Sequence, residues 1–181
     1  MSYLIVALAA LLGSFVQSAS GFGYAIICMS IWPLVLPFRS ASIIEVLTAF
    51  VMVVYITLRL RRHINWKLLL WPAATSMLFS TLGVFTLMAS TESSMRRILG
   101  VALICLSIYF IFFSDKVHLK PTRLTGFAAG IISGFCGGLF NIGGPPMVAY
   151  FLSVTDDKME YNATLQCYFC LTTIYIFAVH F

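Results

Sequence analysis

Charged side chains are scarce in this sequence. Only 11 Lys and Arg and 6 Asp and Glu residues occur in 181 positions, against 61% hydrophobic residues and a mean hydropathy of +0.99. A soluble domain is about half apolar and about a quarter charged, and a single core cannot hide this much apolar surface. The composition therefore predicts an all-α polytopic membrane protein, a helical bundle whose outer partner is the lipid bilayer.

Sequence motifs for several kinds of chemistry are also missing. There is no Walker motif, no H-E-x-x-H and no G-x-S-x-G, so we expect no enzyme, no catalytic residue, no cofactor and no metal. The net charge of +5 comes from basic residues between apolar runs, which argues against a nucleic-acid partner. The five cysteines lie inside apolar runs, where we interpret them as small packing residues.

Six apolar segments follow one another along the chain. Four of them are close to the ~20 residues that a spanning helix needs. The first and the fifth would reach about 50 Å as straight helices, so each must bend, tilt strongly or re-enter. The six segments cover residues 3–36, 41–58, 68–89, 98–113, 124–154 and 161–181.

The basic residues predict an orientation. If each segment crosses once, one face carries seven positive residues and is cytoplasmic, and the N-terminus lies on that face too. The opposite face receives four positive and four acidic residues. The first set is Arg59, Arg61, Arg62, Lys67, Lys116, Lys120 and Arg123, and the second is Arg39, Arg96, Arg97 and Lys158 with Glu92, Asp156, Asp157 and Glu160.

The two overlong segments resemble each other at an offset of 120 residues. AALLGSF (residues 9–15) corresponds to AGIISGF (residues 129–135), and Gly23 corresponds to Gly143. We interpret this as an internal repeat of about 120 residues, as in many transporters. The first four-helix repeat would be residues 1–120, and 121–181 an incomplete second repeat with its first two helices only. An even number of segments per repeat predicts parallel copies.

The fifth segment contains GLFNIGGPPM, residues 138–147. Its glycines and prolines should interrupt the helix, and a half-helix should restart at Pro145 or Pro146 with Gly144 as its cap. The free N–H groups and the positive helix end would then form an anion site, to which Asn141 adds uncharged donors. The alternative is that these small residues only allow close helix packing.

The first segment offers a similar interruption in QSASGFG, residues 17–23. Ser18 and Ser20 are good N-cap residues, and Gly21 and Gly23 permit a close approach of a ligand to the backbone. We expect the two breaks to face each other near the middle of the membrane, where transporter sites usually lie.

Two polar residues in other segments are further candidates. Glu45 is the one acid within an apolar span, and its role is either proton coupling or contact with the membrane interface. Arg39 is a candidate partner for it. Gln166 in the sixth segment is similarly placed and is expected to line the same cavity.

Three stretches resemble the TauE/SafE family of sulfite exporters, also called toluene-sulfonate uptake permeases. They are SGFGYAIICMSIWPLVLP, GFCGGLFNIGGPPMVAYFL and ATLQCYF. The resemblance implies an inner-membrane carrier for sulfur-containing anions, usually with eight helices in two similar halves and with proposed coupling to the proton gradient. The last two helices of that pattern are missing here. The family motif carries over onto Gly21, Gly23, Asn141, Gly143, Gly144, Pro145 and Pro146.

The sequence thus predicts a secondary transporter for a small anion such as sulfite or an organosulfonate, in the bacterial plasma (inner) membrane. Two alternatives remain open: a divalent-cation permease that uses Glu45 and backbone carbonyls, and a truncated membrane fragment that does not transport. A homo-oligomer that completes the bundle is also open.

Overall fold

A computed structural model describes residues 2–112 and 122–180 of the protein, and these residues are almost entirely helical and contain no strand. Six of the helices are long and apolar enough to cross a membrane. The all-α polytopic fold is therefore confirmed. The helices are α1 (Ser2–Ser20), α2 (Tyr24–Val35), α3 (Phe38–Leu60), α4 (Trp66–Ala89), α5 (Glu92–Phe112), α6 (Arg123–Phe140), α7 (Gly144–Val154) and α8 (Lys158–His180).

The first overlong segment folds back on itself. Helix α2 runs antiparallel along α1, because Cys28 contacts the carbonyl oxygen of Ala9 and the indole nitrogen of Trp32 donates to that of Val6 at 3.2 Å. Residues 21–23 form the turn. We call this unit the first hairpin. Of the predicted options of bending, tilting and re-entering, the structure has a re-entrant pair.

The fifth segment forms a second hairpin, α6 and α7, with its turn at residues 141–143. Small residues of α6 leave room for the returning helix. A Cβ atom on Gly126 would lie 2.9 Å from the ring of Tyr150, and Ser133 donates its hydroxyl to the carbonyl oxygen of Gly143. The hairpin geometry therefore depends on small residues on the inner face of α6.

Helix α6 also packs closely against α4. A Cβ atom on Gly134 would overlap the backbone of Ser76, and one on Gly138 would overlap the carbonyl oxygen of Ser80. Small residues at four-residue spacing let membrane helices approach in this way. The same contacts make α4 and α6 run parallel, so that both begin at the same end of the bundle.

The two hairpins enter from opposite ends of the bundle. The Arg96 end holds the start of α1 and the end of α2, where Arg96 donates to the carbonyl oxygen of Leu36 at 3.1 Å. The Arg61 end holds the starts of α4, α6 and α8, where the side-chain amide of Asn65 donates to Glu160 at 2.7 Å. The first hairpin therefore inserts from the Arg96 end, and the second hairpin inserts from the Arg61 end.

This arrangement corrects two predictions that assumed one crossing per segment. The N-terminus lies at the Arg96 end, with Arg39, instead of sharing a face with Arg61. Lys158 and its acidic neighbours lie at the Arg61 end instead of opposite it. A hairpin makes no net crossing, so a repeat unit of one hairpin and three spans would give inverted copies instead of the parallel copies predicted from one crossing per segment.

The charge asymmetry itself persists in the residues that the structure describes. The Arg61 end carries more basic residues than the Arg96 end, so the positive-inside rule still predicts a cytoplasmic Arg61 end. Lys116 and Lys120, which were part of that prediction, lie outside the described residues. The described basic residues are Arg59, Arg61, Arg62, Lys67, Arg123 and Lys158 at the Arg61 end, and Arg39, Arg96 and Arg97 at the Arg96 end.

Candidate functional site

The turn of the first hairpin is held by two glutamines. Gly21 and Gly23 adopt positive φ angles of 82° and 111°, which favour glycine. Gln17 accepts a hydrogen bond from the N–H of Tyr24, the first residue of α2, at 3.2 Å. Gln166 donates to the carbonyl oxygen of Gly21 at 2.7 Å. The turn is thus fastened both to α1 and to α8.

Ser18 and Ser20 do not cap α2 as predicted. Helix α1 continues through Ser20, so each hydroxyl donates to a backbone carbonyl one turn earlier, and both residues are exposed. Serine hydroxyls commonly make this bond inside helices. The N-cap position of α2 belongs to Gly23. The structure therefore places both serines away from the cavity described below.

The turn of the second hairpin begins at Asn141, which has a positive φ of 61°. Its side-chain amide donates to the carbonyl and hydroxyl oxygens of Ser42 on α3, both at 3.0 Å. Helix α7 begins at Gly144 with Gly143 as its N-cap, one residue earlier than predicted. A polar side chain from the turn thus anchors the hairpin to a neighbouring helix.

Pro145 and Pro146 occupy the first turn of α7 but contribute little to an anion site. Proline has no N–H, so this helix end offers fewer backbone donors than the sequence argument assumed. Both prolines line a separate, mostly apolar pocket of about 310 Å³ beside Leu106 and Tyr109 of α5. The backbone donors therefore come mainly from α2, whose residues Ala25 and Ile26 line the cavity between the turns.

A cavity of about 70 Å³ lies where the two turns meet. Phe22 of the first turn is next to Gly144 of the second, since a Cβ atom on Gly144 would lie 3.5 Å from the Cβ of Phe22. A water molecule occupies ~30 Å³ in the liquid, so the cavity has room for a small ion. Its polar lining residues are Gln17, Tyr24, Glu45, Ser76, Ser133, Asn141, Tyr168, Thr172 and Thr173, together with the glycines Gly23, Gly143 and Gly144.

Seven of these polar lining residues were not predicted as site residues: Gln17, Tyr24, Ser76, Ser133, Tyr168, Thr172 and Thr173. Tyr168 is fully buried, and its hydroxyl bonds Ser76 at 2.5 Å and Ser133 at 2.7 Å. Ser133 in turn donates to Gly143, which connects α4, α8 and the second turn. Gln17 was quoted only as part of the first break. Each is a polar residue inside an apolar run, which is a signal that sequence reasoning could have used.

Glu45 lies in the cavity wall and is only 3% exposed. The proposed ion pair with Arg39 is wrong: that side chain is exposed at the Arg96 end and donates to the carbonyl oxygen of Met88 at 2.9 Å. Gln166 is buried and supports the first turn, but it does not belong to the cavity lining. The structure thus brings together Gly23, Glu45, Asn141, Gly143 and Gly144.

Comparisons with known proteins place this architecture in a family. The model of the family "Sulfite exporter TauE/SafE" matches residues 6–181. A protein of Methanocaldococcus jannaschii described as a "Probable membrane transporter protein" is 28% identical over 103 residues, which are 55% of this chain and 39% of that relative. No solved structure matches the chain. The chain therefore belongs to the TauE/SafE family of membrane transporters.

Proposed function

We propose that this protein is a secondary transporter for a small anion such as sulfite or an organosulfonate, coupled to the proton gradient of a bacterial plasma membrane. One observation carries the proposal: the first turn of α2 and Gly144, the first residue of α7, line one cavity between oppositely inserted hairpins. Helix N-termini favour anions, and transporters often bind substrate at such breaks.

The polar groups of the cavity suit an anion that is held without a basic residue. The N-terminal turn of α2 provides backbone donors, and the hydroxyl groups of Tyr168, Ser133 and Thr172, which hydrogen-bond within the protein in this structure, can rotate to donate to an anion. The backbone donors are fixed by the helix, so they need little reorganisation on binding, whereas each hydroxyl exchanges a hydrogen bond within the protein for one to the anion. The opposed hairpins also support the repeat with boundaries at residues 120 and 121, now with inverted copies.

The divalent-cation alternative has weaker support. Such an ion prefers several carboxylate ligands, and the described lining of the cavity supplies one, Glu45. The fragment alternative is addressed by testing the chain by itself. If transport requires further helices, we propose that a second copy of the chain supplies them in a homo-oligomer.

The test is uptake of radiolabelled sulfite, and then of a radiolabelled sulfonate, into vesicles that contain this chain alone under an imposed pH gradient. We expect uptake by the wild type and by Ser18→Ala, whose site lies outside the cavity. Asn141→Gly should lose uptake, because glycine keeps the positive φ but removes the amide. Intact, inserted protein without uptake would refute transport by this chain, and equal uptake by Asn141→Gly would refute the site.

A further inference from the structure

A second pocket with a polar lining lies near the Arg96 end of α3. It has a volume of about 180 Å³ and lies between α3 and α4. A water molecule takes up ~30 Å³ in the liquid, so this pocket has room for a small ion together with some of its water. The cavity between the turns, at about 70 Å³, holds far less. We call the second pocket the outer pocket, and its lining residues are Arg39, Ser42, Ile43, Leu87 and Met88.

Arg39 brings a positive charge to the outer pocket. Its side chain starts on α3 and reaches the end of α4, where its guanidinium group donates to the carbonyl oxygen of Met88 at 2.9 Å. A guanidinium group has five N–H donors, so donors remain for a ligand. Glu92, an acid close enough to feel the charge of Arg39, forms an ion pair with Arg96 at 2.7 Å and does not line the pocket. The outer pocket therefore suits an anion.

The outer pocket and the cavity follow one another along α3. Arg39, Ser42, Val46 and Ala49 are spaced by three and four residues, so they share one face of this helix. The first two line the outer pocket, and the last two line the cavity. From Arg39 to Val46 the helix rises by about 10 Å. The outer pocket thus lies between the cavity and the Arg96 end.

One pair of residues separates the two spaces. Ser42 lines the outer pocket, and Asn141 lines the cavity. The side-chain amide of Asn141 donates to the carbonyl and hydroxyl oxygens of Ser42, both at 3.0 Å. An anion that moves from the outer pocket into the cavity therefore meets these hydrogen bonds. The amide of Asn141 can then exchange Ser42 for the anion, since its N–H donors serve either acceptor.

We propose that Arg39 holds the substrate anion in the outer pocket before the anion passes the Asn141–Ser42 pair into the cavity. This inference rests on the proposed anion transport, to which it adds a second anion site and an entrance at the Arg96 end. Arg39 attracts the anion while the larger outer pocket leaves part of its hydration in place. The remaining water is lost at the Asn141–Ser42 pair, where the amide of Asn141 replaces it.

The first experiment measures access of an anion to the outer pocket without transport. Ile43→Cys places a thiol in the pocket lining, and the protein in vesicles is treated from the Arg96 face with sulfonatoethyl or trimethylammonioethyl methanethiosulfonate, one anionic and one cationic reagent. The wild type gives the background from the native cysteines. In Ile43→Cys protein, Arg39→Gln should slow the anionic reagent about fivefold, the factor for two unit charges about 4 Å apart in water, and should not slow the cationic reagent. The matched control Arg97→Gln removes the same charge from an exposed side chain at the same end and should change neither rate.

The second experiment tests whether the outer pocket belongs to the transport path. Unlabelled Ile43→Cys should take up radiolabelled sulfite as the wild type does. After reaction with the anionic reagent it should lose uptake, because the attached group fills the pocket. The control Ser93→Cys carries the same group at an exposed position of the Arg96 end, outside the pocket lining, and should keep its uptake.

The outcomes separate this inference from the proposed function. Equal slowing by Arg39→Gln and Arg97→Gln, or slowing by neither, would overturn the anion site at Arg39. If Arg39→Gln fails to insert, the ratio of anionic to cationic labelling should be higher at Ile43→Cys than at Ser93→Cys, and equal ratios would overturn the site. Full uptake by labelled Ile43→Cys would overturn the entrance and leave the cavity site intact. No uptake by any unlabelled protein would refute the proposed transport, while the labelling rates still decide the anion site.

Discussion

Two adjacent glycines in the second turn predict opposite results for the same substitution. Gly143 has a φ of −92°, which alanine adopts without strain, so only space opposes Gly143→Ala. Its Cβ would lie 2.7 Å from the carbonyl oxygen and 2.9 Å from the hydroxyl of Ser133, whereas non-bonded atoms prefer about 3.5 Å. Gly144→Ala meets Phe22 and Phe169 at an ordinary 3.5 Å.

The two distances set the expected magnitudes. Overpacking of this kind costs about 1–3 kcal/mol, and each kcal/mol lowers the melting temperature of a chain of this size by about 2–4 °C. Gly143→Ala should therefore melt about 2–12 °C below the wild type, since α6 and α7 must separate. Gly144→Ala should stay within about 0.5 kcal/mol of the wild type.

The assay is thermal unfolding of both variants in the same detergent, followed by anion uptake in vesicles. Uptake should fall in Gly143→Ala and persist in Gly144→Ala. Equal melting temperatures for the two variants would contradict the close approach of Gly143 to Ser133, and with it the geometry of the second turn.

Three further predictions concern packing, hydrogen bonding and orientation. Gly134→Ala should lower the melting temperature because it forces α4 away from α6, while Gly100→Ala, which has open space around it, should not; equal losses would argue against the glycine contact. Tyr168→Phe should cost about 1–3 kcal/mol in unfolding free energy, because it removes two buried hydrogen bonds, and an unchanged midpoint would contradict those bonds. Cysteines at Tyr3 and Arg62 should be labelled by an impermeant maleimide from opposite sides of the membrane, and labelling from one side would contradict the first hairpin.

Local chemistry made the breaks predictable. Pro145 and Pro146 cannot continue a helix, and positive φ angles favour glycine at positions 21 and 23, so the interruptions followed from the sequence. The direction of the chain after each break did not follow from the sequence, since a helix break allows both a kink and a reversal. That direction depends on distant contacts such as Trp32 with Val6.

Part of the site was also predictable from the local chemistry of single residues. Asn141 and Glu45 stand out because polar groups are costly within a membrane. Their proximity, and the absence of Arg39 from the site, depend on how α3 meets the second turn. Ser18 does not cap α2 because α1 continues through Ser20. A serine inside a helix donates to its own helix backbone instead of capping the following helix.

The central claim is that the anion occupies the cavity between the two turns. Equilibrium binding of radiolabelled sulfite to purified protein tests it, with the wild type compared with Gly144→Ala and Gly144→Leu. The alanine variant should bind as the wild type does, and leucine should abolish binding by filling the space beside Phe22, with both variants monodisperse. Undiminished binding by Gly144→Leu would contradict the claim and place the anion elsewhere.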